Sequence, residues 1–198
     1  MNLREYANIY EESSKNHYYN VITFGPSTPF GYPDILPEQK RRIKFIVYIS
    51  EGLILDVGCD SGYILNLCGG GVGLDISHLR VKAARRWYPG LHLVQGLAEY
   101  LPFREEVFDT TILAELLEHV QDPEVVLEET RRVTGEGGSV VVTVPNEITG
   151  RSHENPEHLR KFTRIEIVAL LVCFFLLMDV KAIRGNYPTW CNHCEVEK

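Results

Sequence analysis

Residues Leu53–Ser77 read LILDVGCDSGYILNLCGGGVGLDIS: an apolar run, a glycine turn, a short helical stretch and a second apolar run that ends on an acid. Leu53, Ile54, Leu55 and Val57 have the pattern of a buried strand, interrupted by Asp56. Gly58 and Gly62 bracket a tight turn in which the backbone can pass close to a ligand, because neither residue carries a Cβ. Val72–Leu74 predict the next strand, and Asp75 closes it about 20 residues beyond the first acid, where a carboxylate can accept both hydroxyls of a ribose. The order predicts a nucleotide-type cofactor crevice. A dinucleotide turn needs G-x-G-x-x-G, yet the corresponding positions hold Gly58, Asp60 and Tyr63, so that fingerprint fails.

Working outward, a Gly/Pro-rich loop at 24–37 precedes a helix predicted over 37–50. Strands are expected near 72–75, 91–95, 108–113, 139–144 and 174–182, with a last one near the C-terminus and helices between them. Asp122-Pro123-Glu124 is a helix start, with an oxygen cap, a first-turn proline and a first-turn acid. Thr163 and Glu166 have capping-box spacing, flanked by Phe162 and Ile167 as a hydrophobic staple. Alternating strands and helices predict an α/β fold: a doubly wound, mainly parallel sheet of about seven strands with helices on both faces and ligands beyond the carboxyl ends of the strands. The chain of 198 residues, 44% hydrophobic, is read as a single domain, 1–198, with 1–36 as an N-terminal cap and 145–162 as a lid insertion.

The glycine turn resembles the first motif of the class I S-adenosylmethionine (SAM) methyltransferases, an acid followed by G-x-G-x-G, here Asp56, Val57, Gly58, Cys59, Asp60, Ser61, Gly62. Later segments fit the family in order: GLDIS at 73–77, GLAEYLPF at 96–103, FDTTILAELLEHVQDP at 108–123 and GGSVVVTVPN at 137–146. The resemblance implies a Rossmann-like fold and SAM as cofactor, bound by Asp56, Gly58, Cys59, Asp60, Gly62, Asp75, Ile76, Leu97, Ala98 and Ala114. Two positions depart from the pattern. Asp60 replaces the middle glycine; it tolerates a left-handed backbone better than most residues and is expected to face the cofactor's ammonium group. Leu97 stands where the family often has an acid for the adenine amino group, so adenine recognition is expected from backbone groups around Leu97 and Ala98.

Beyond the strand at 108–113 the chain reads Ala114-Glu115-Leu116-Leu117-Glu118-His119. A helical turn starting here would bring Glu115, Glu118 and His119 to one side. Two carboxylates and an imidazole form part of a shell for Mg2+ or another divalent cation, which His158 or His153 would complete. The segment, with the later His158-Leu159-Arg160-Lys161-Phe162, resembles metal-dependent O-methyltransferases of quinone biosynthesis and, more distantly, small-RNA 2′-O-methyltransferases. Relatives without a metal carry an Glu-His pair here too, so His119 is also a candidate base or a structural residue. Glu115, Glu118 and His119 are the candidate catalytic group, and the metal set is these three with His158. His17, Tyr18 and Tyr19 are placed in the cap, as substrate contacts or as an aromatic packing cluster, and Arg80, Arg85 and Arg86 on a solvated helix face.

These observations predict SAM-dependent methyl transfer to a small-molecule acceptor at oxygen. The alternatives are an RNA ribose 2′-O-methyltransferase and a noncatalytic SAM-binding partner subunit. A net charge of −7 disfavours a nonspecific nucleic-acid grip, which depends on Lys and Arg neutralising phosphates. The start MNLREYANIYEE has no basic, apolar leader, so a cytoplasmic location is expected. The longest apolar run, Ile167–Met178, is 12 residues, short of the roughly 20 that insert across a bilayer, and reads as a helix end running into a buried strand. Among the five cysteines only Cys191 and Cys194 have C-x-x-C spacing, and they are expected as two thiols in or beside the last strand.

Overall fold

A computed structural model describes residues 5, 8–15, 37–146, 157–184 and 189–197. Residue 5 and residues 8–15 are helical and are labelled α1. The elements that follow are α2 (Pro37–Ile49), β1 (Ile54–Val57), α3 (Tyr63–Leu67), β2 (Val72–Asp75), α4 (His78–Trp87), β3 (His92–Gln95), β4 (Phe108–Ala114), α5 (Pro123–Val133), β5 (Thr134–Pro145), α6 (Arg164–Leu171), β6 (Leu176–Ile183) and β7 (Thr189–Glu195). The seven strands form one sheet in the order β3-β2-β1-β4-β5-β7-β6. β1 pairs in parallel with both β2 and β4, and β7 alone runs antiparallel to its neighbours β5 and β6. The doubly wound, mainly parallel α/β sheet expected from the sequence is present, and the strand order reverses at β1.

All four residues of β1 are buried, as a central strand covered on both faces requires. Alternation then divides the core. Leu55, Val57, Leu113, Val140 and Val142 face α5 and α6, whereas Ile54, Ile112 and Val141 face α2 and α3. The caps form as their residue types dictate. Asp122 accepts from the backbone N–H groups of Glu124 and Val125 with Pro123 in the first turn, and Thr163 and Glu166 make a reciprocal capping box.

The stretch 167–178 differs from its expected form. The helix ends at Leu171, and β6 is an edge strand on which Leu176 is 44% and Met178 52% exposed, because β7 inserts between β5 and β6 and leaves β6 outermost. Leu177 pairs with Cys194 and Asp179 with the adjacent His193, so Met178 is a surplus residue bulged out of the ladder. Cys191 and Cys194 both lie buried in β7. Three residues apart on a strand, they point to opposite faces and belong to separate halves of the core. Burial pushes both thiols up to about 12.

Candidate active site

The carboxyl ends of β1, β2 and β4 carry two groups of polar side chains. The first is the turn after β1. Gly58 and Cys59 both donate their N–H to the Leu74 carbonyl, at 2.7 and 3.0 Å, which fastens the turn to the end of β2. Gly58, Asp60 and Gly62 all have left-handed backbones, with φ of 77°, 48° and 75°. Gly62 is the N-cap of the short α3. Asp75, buried at the end of β2, accepts from Asp60 N–H at 2.9 Å through one oxygen and from Ser77 N–H at 2.8 Å through the other. A carboxylate has about four acceptor sites, so capacity for two ribose hydroxyls is retained.

Asp56, Asp60 and Asp75 lie close enough to perturb one another. Burial, then Asp75 and Asp60, raises the Asp56 carboxyl to about 7, and burial also pushes Asp75 up against the opposing pull of Arg80. Three carboxylates with one guanidinium suit a ligand bearing positive charge. Asp60 meets that guanidinium directly, with Oδ1 3.4 Å from an Arg80 terminal nitrogen. Arg80 therefore departs from the solvated face expected of it: its side chain is only 23% exposed and turns inward from α4. Ile76, Leu97 and Ala114 are half-buried around the same strand ends, and Ala98 is buried.

The second group follows β4. The helical turn expected to start at Ala114 is absent, because Glu115 takes a left-handed backbone with φ of 52° and donates its N–H to Thr143. This turns Glu115 away from Glu118 and His119. Its carboxylate pairs instead with Arg42, a buried cation on α2, at 3.0 Å. The structure brings together Glu118, His119 and His158, whose candidate ligand atoms all lie within 4.8 Å of one another. Glu118 is buried, and its Oε1 is 4.0 Å from His119 Nε2.

His119 Nδ1 is 3.1 Å from the Glu157 carbonyl, which can only accept, so Nδ1 holds the proton and Nε2 the lone pair. The His158 ring stands edge-on to it, centroids 4.8 Å apart. Burial, aided by His158 and Arg80, lowers the His119 imidazole to about 4 despite the Glu157 contact, so it is neutral at pH 7. The 157–160 segment is pinned to this turn by Leu159 N–H on the Glu118 carbonyl and by the Arg160 guanidinium on the carbonyls of Leu117, Val120 and Gln121. His153 and the His17-Tyr18-Tyr19 cluster lie outside the described residues.

Several residues here carried no functional reading in the sequence. Glu38, Arg42 and Ile46 share one buried face of α2 at a spacing of four, and a Glu-Arg pair inside an apolar stripe was the available signal for Arg42. Tyr10 and Ser14 of α1 and Arg160 had no such signal, because each is recruited by a partner distant in sequence.

Residues 55–142 match the family model described as a methyltransferase domain. The chain is 31% identical over 126 residues to a probable S-adenosylmethionine-dependent methyltransferase of Mycolicibacterium smegmatis, covering 60% of this chain and 49% of that protein. It is 34% identical over 122 residues to a phosphatidylethanolamine N-methyltransferase of Cereibacter sphaeroides, covering 57% and 60% respectively. The aligned stretch thus spans about half the length of the curated relatives it matches. In fold it is similar to a chain of the complex between the Haloferax volcanii Trm112 methyltransferase activator and a methyltransferase, with a TM-score of 0.71, 18% identity and coverage of 100% and 98%.

Proposed function

We propose that this chain, which belongs to the class I SAM-dependent methyltransferase family, moves the methyl group of SAM to an oxygen of a small-molecule acceptor held beside Glu118, His119 and His158. The observation that carries the reading is the convergence of a buried, doubly fastened Asp75 and a neutral His119 at one end of the same sheet. SAM supplies an electrophilic sulfonium methyl. The chain's own work is to fix the cofactor, align the acceptor behind the methyl and take up the acceptor's proton.

Asp75 is assigned to the ribose hydroxyls, with the acid cluster at 56 and 60 favouring the cofactor's positive charge. Leu97 and Ala98 are assigned to the adenine. His119 Nε2 bears the lone pair that receives a hydroxyl proton, and Glu118, at 4.0 Å, stabilises the imidazolium that results. The donor set, one carboxylate and two imidazoles, also fits a divalent cation. Glu118, His119 and His158 would hold it, and the ion would lower the pKa of an acceptor hydroxyl. Glu115 is assigned to the wall of the acceptor site with Arg42, apart from this group.

Transfer to nitrogen is a second reading, favoured by the 34% identity to the phosphatidylethanolamine N-methyltransferase. The test is SAM turnover on a panel of phenols, catechols and primary amines, with methylated products identified by mass spectrometry. Methyl transfer to hydroxyl acceptors supports the proposal, and transfer confined to amines moves the reading to nitrogen. SAM binding with no product from any acceptor would overturn the enzymatic reading. Loss of activity on chelation and its return with Mg2+ distinguishes a metal-held acceptor from His119 acting alone.

A further inference from the structure

Helix α1 touches both halves of the site. Glu11 accepts from the Ser77 hydroxyl at 2.8 Å, and Ser77 also donates its N–H to Asp75. Arg80 donates through Nε to the buried Ser14 hydroxyl at 2.8 Å while its terminal nitrogen faces Asp60. Ser14 donates to the Tyr10 carbonyl, and the Tyr10 hydroxyl donates to the His119 carbonyl at 2.9 Å. The Tyr10 ring stands edge-on to the His119 imidazole, centroids 6.1 Å apart. These contacts link Asp60, Arg80, Ser14, Tyr10 and the His119 carbonyl, from the first-motif turn to the turn beyond β4, with the Tyr10 side chain as the covalent step between two hydrogen bonds.

We propose that α1 is a strap that couples occupancy of the cofactor turn to the conformation of the 117–121 turn, with Arg80, Ser14 and Tyr10 as positioning residues. The inference rests on reading the Asp60–Asp75 turn as the SAM site. Among the described residues of α1 only Tyr10 and Ser14 are buried, so the helix holds to the fold chiefly through its anchors. Two of those anchors, Ser77 and Arg80, contact Asp75 and Asp60, the groups that a bound cofactor immobilises. Fixing them stabilises the strap, and by reciprocity a fastened strap tightens cofactor binding. A further anchor is the backbone of His119, so closing the strap sets the turn that presents Glu118 and His119 to the acceptor.

The test uses S-adenosylhomocysteine, the cofactor product, as ligand. In the parent protein, saturating ligand should slow amide exchange both in 8–15 and in 116–121. Ser14→Ala and Tyr10→Phe, which alter neither Asp60 nor Asp75, should each weaken ligand binding about fivefold to tenfold and abolish the protection of 116–121. Ser14→Thr, which keeps the hydroxyl, should restore both. Arg80→Met combined with Ser14→Ala should bind no worse than Arg80→Met alone, since both cut one path. Parent-like affinity and protection in Ser14→Ala and Tyr10→Phe would overturn the strap. A parent that fails to bind the ligand would overturn the cofactor reading itself, and the strap with it.

Discussion

The two halves of the site are built in opposite ways. The half proposed for the cofactor is a contiguous piece of chain: Asp56, Gly58, Asp60, Gly62 and Asp75 fall within one strand-turn-helix-strand unit and are joined by backbone hydrogen bonds from Gly58, Cys59 and Asp60. The half proposed for the acceptor is assembled from afar. Glu118 and His119 come from beyond β4, His158 and Arg160 from before α6 and Tyr10 from α1. A local unit can be stiff by itself, whereas an assembled one is only as firm as the contacts that collect it.

The contrast predicts a graded response of SAM affinity. The largest effect is expected from Gly58→Val. Its φ of 77° is strained for any residue with a Cβ, and the added atom would sit 2.9 Å from a Leu116 methyl. Leu116 can swing aside, but the backbone strain of about 1–2 kcal/mol remains, and the Gly58 N–H bond to Leu74 is disturbed as well. SAM affinity measured by calorimetry should fall about 100-fold. Asp75→Ala comes next, with a loss of about 1.5–3 kcal/mol for hydrogen bonds to a charged acceptor. Equal affinities of variant and parent would place the ribose elsewhere.

A smaller effect is expected from pH. The Asp56 carboxyl is raised from 3.8 to about 7 in the folded protein, so the folded state holds this proton more tightly than the unfolded chain does. Its contribution to stability is therefore complete below 3.8 and is lost as pH rises through about 7. A cationic ligand favours the carboxylate, so SAM binding should release a proton and tighten by up to about tenfold between about pH 6 and pH 8. Titration in buffers of different ionisation enthalpy reads that proton directly, and Asp56→Asn should remove the pH dependence. Glu118→Ala should have the smallest effect on SAM, less than about twofold, while abolishing the divalent-ion binding proposed for Glu118, His119 and His158, measured by the same method. A large loss of SAM affinity in this variant would mean that the Glu118 carboxylate itself acts on the cofactor.

The same contrast explains what was legible in the sequence. Periodicity and capping residues located the strands and the helix starts at Asp122 and Thr163, because those signals act over a few residues. The tight turn after β1 was legible for the same reason. Glu115 was misplaced because a left-handed backbone at a glutamate leaves no local mark; what holds it is Arg42, whose partner is 73 positions away by subtraction of residue numbers. Arg80 read as a surface residue because its partners, Asp60 and Ser14, come from other elements. His158 was legible through its motif, but its edge-on placement against His119 depends on Arg160 gripping three carbonyls across the gap.

The surplus residue in β6 bears on how the molecule keeps company with its own kind. An outermost strand offers a row of unmatched amide and carbonyl groups on which another chain can be templated. A straight β6 with Leu176 and Met178 turned outward would invite sheet-to-sheet stacking into fibres. The bulge at Met178 puts an incoming ladder out of step, and the Lys181–Asp179 ion pair at 2.9 Å places charge just beyond it. The surplus position and the charge beside it are the features of β6 that oppose templating of another chain at the margin of the sheet.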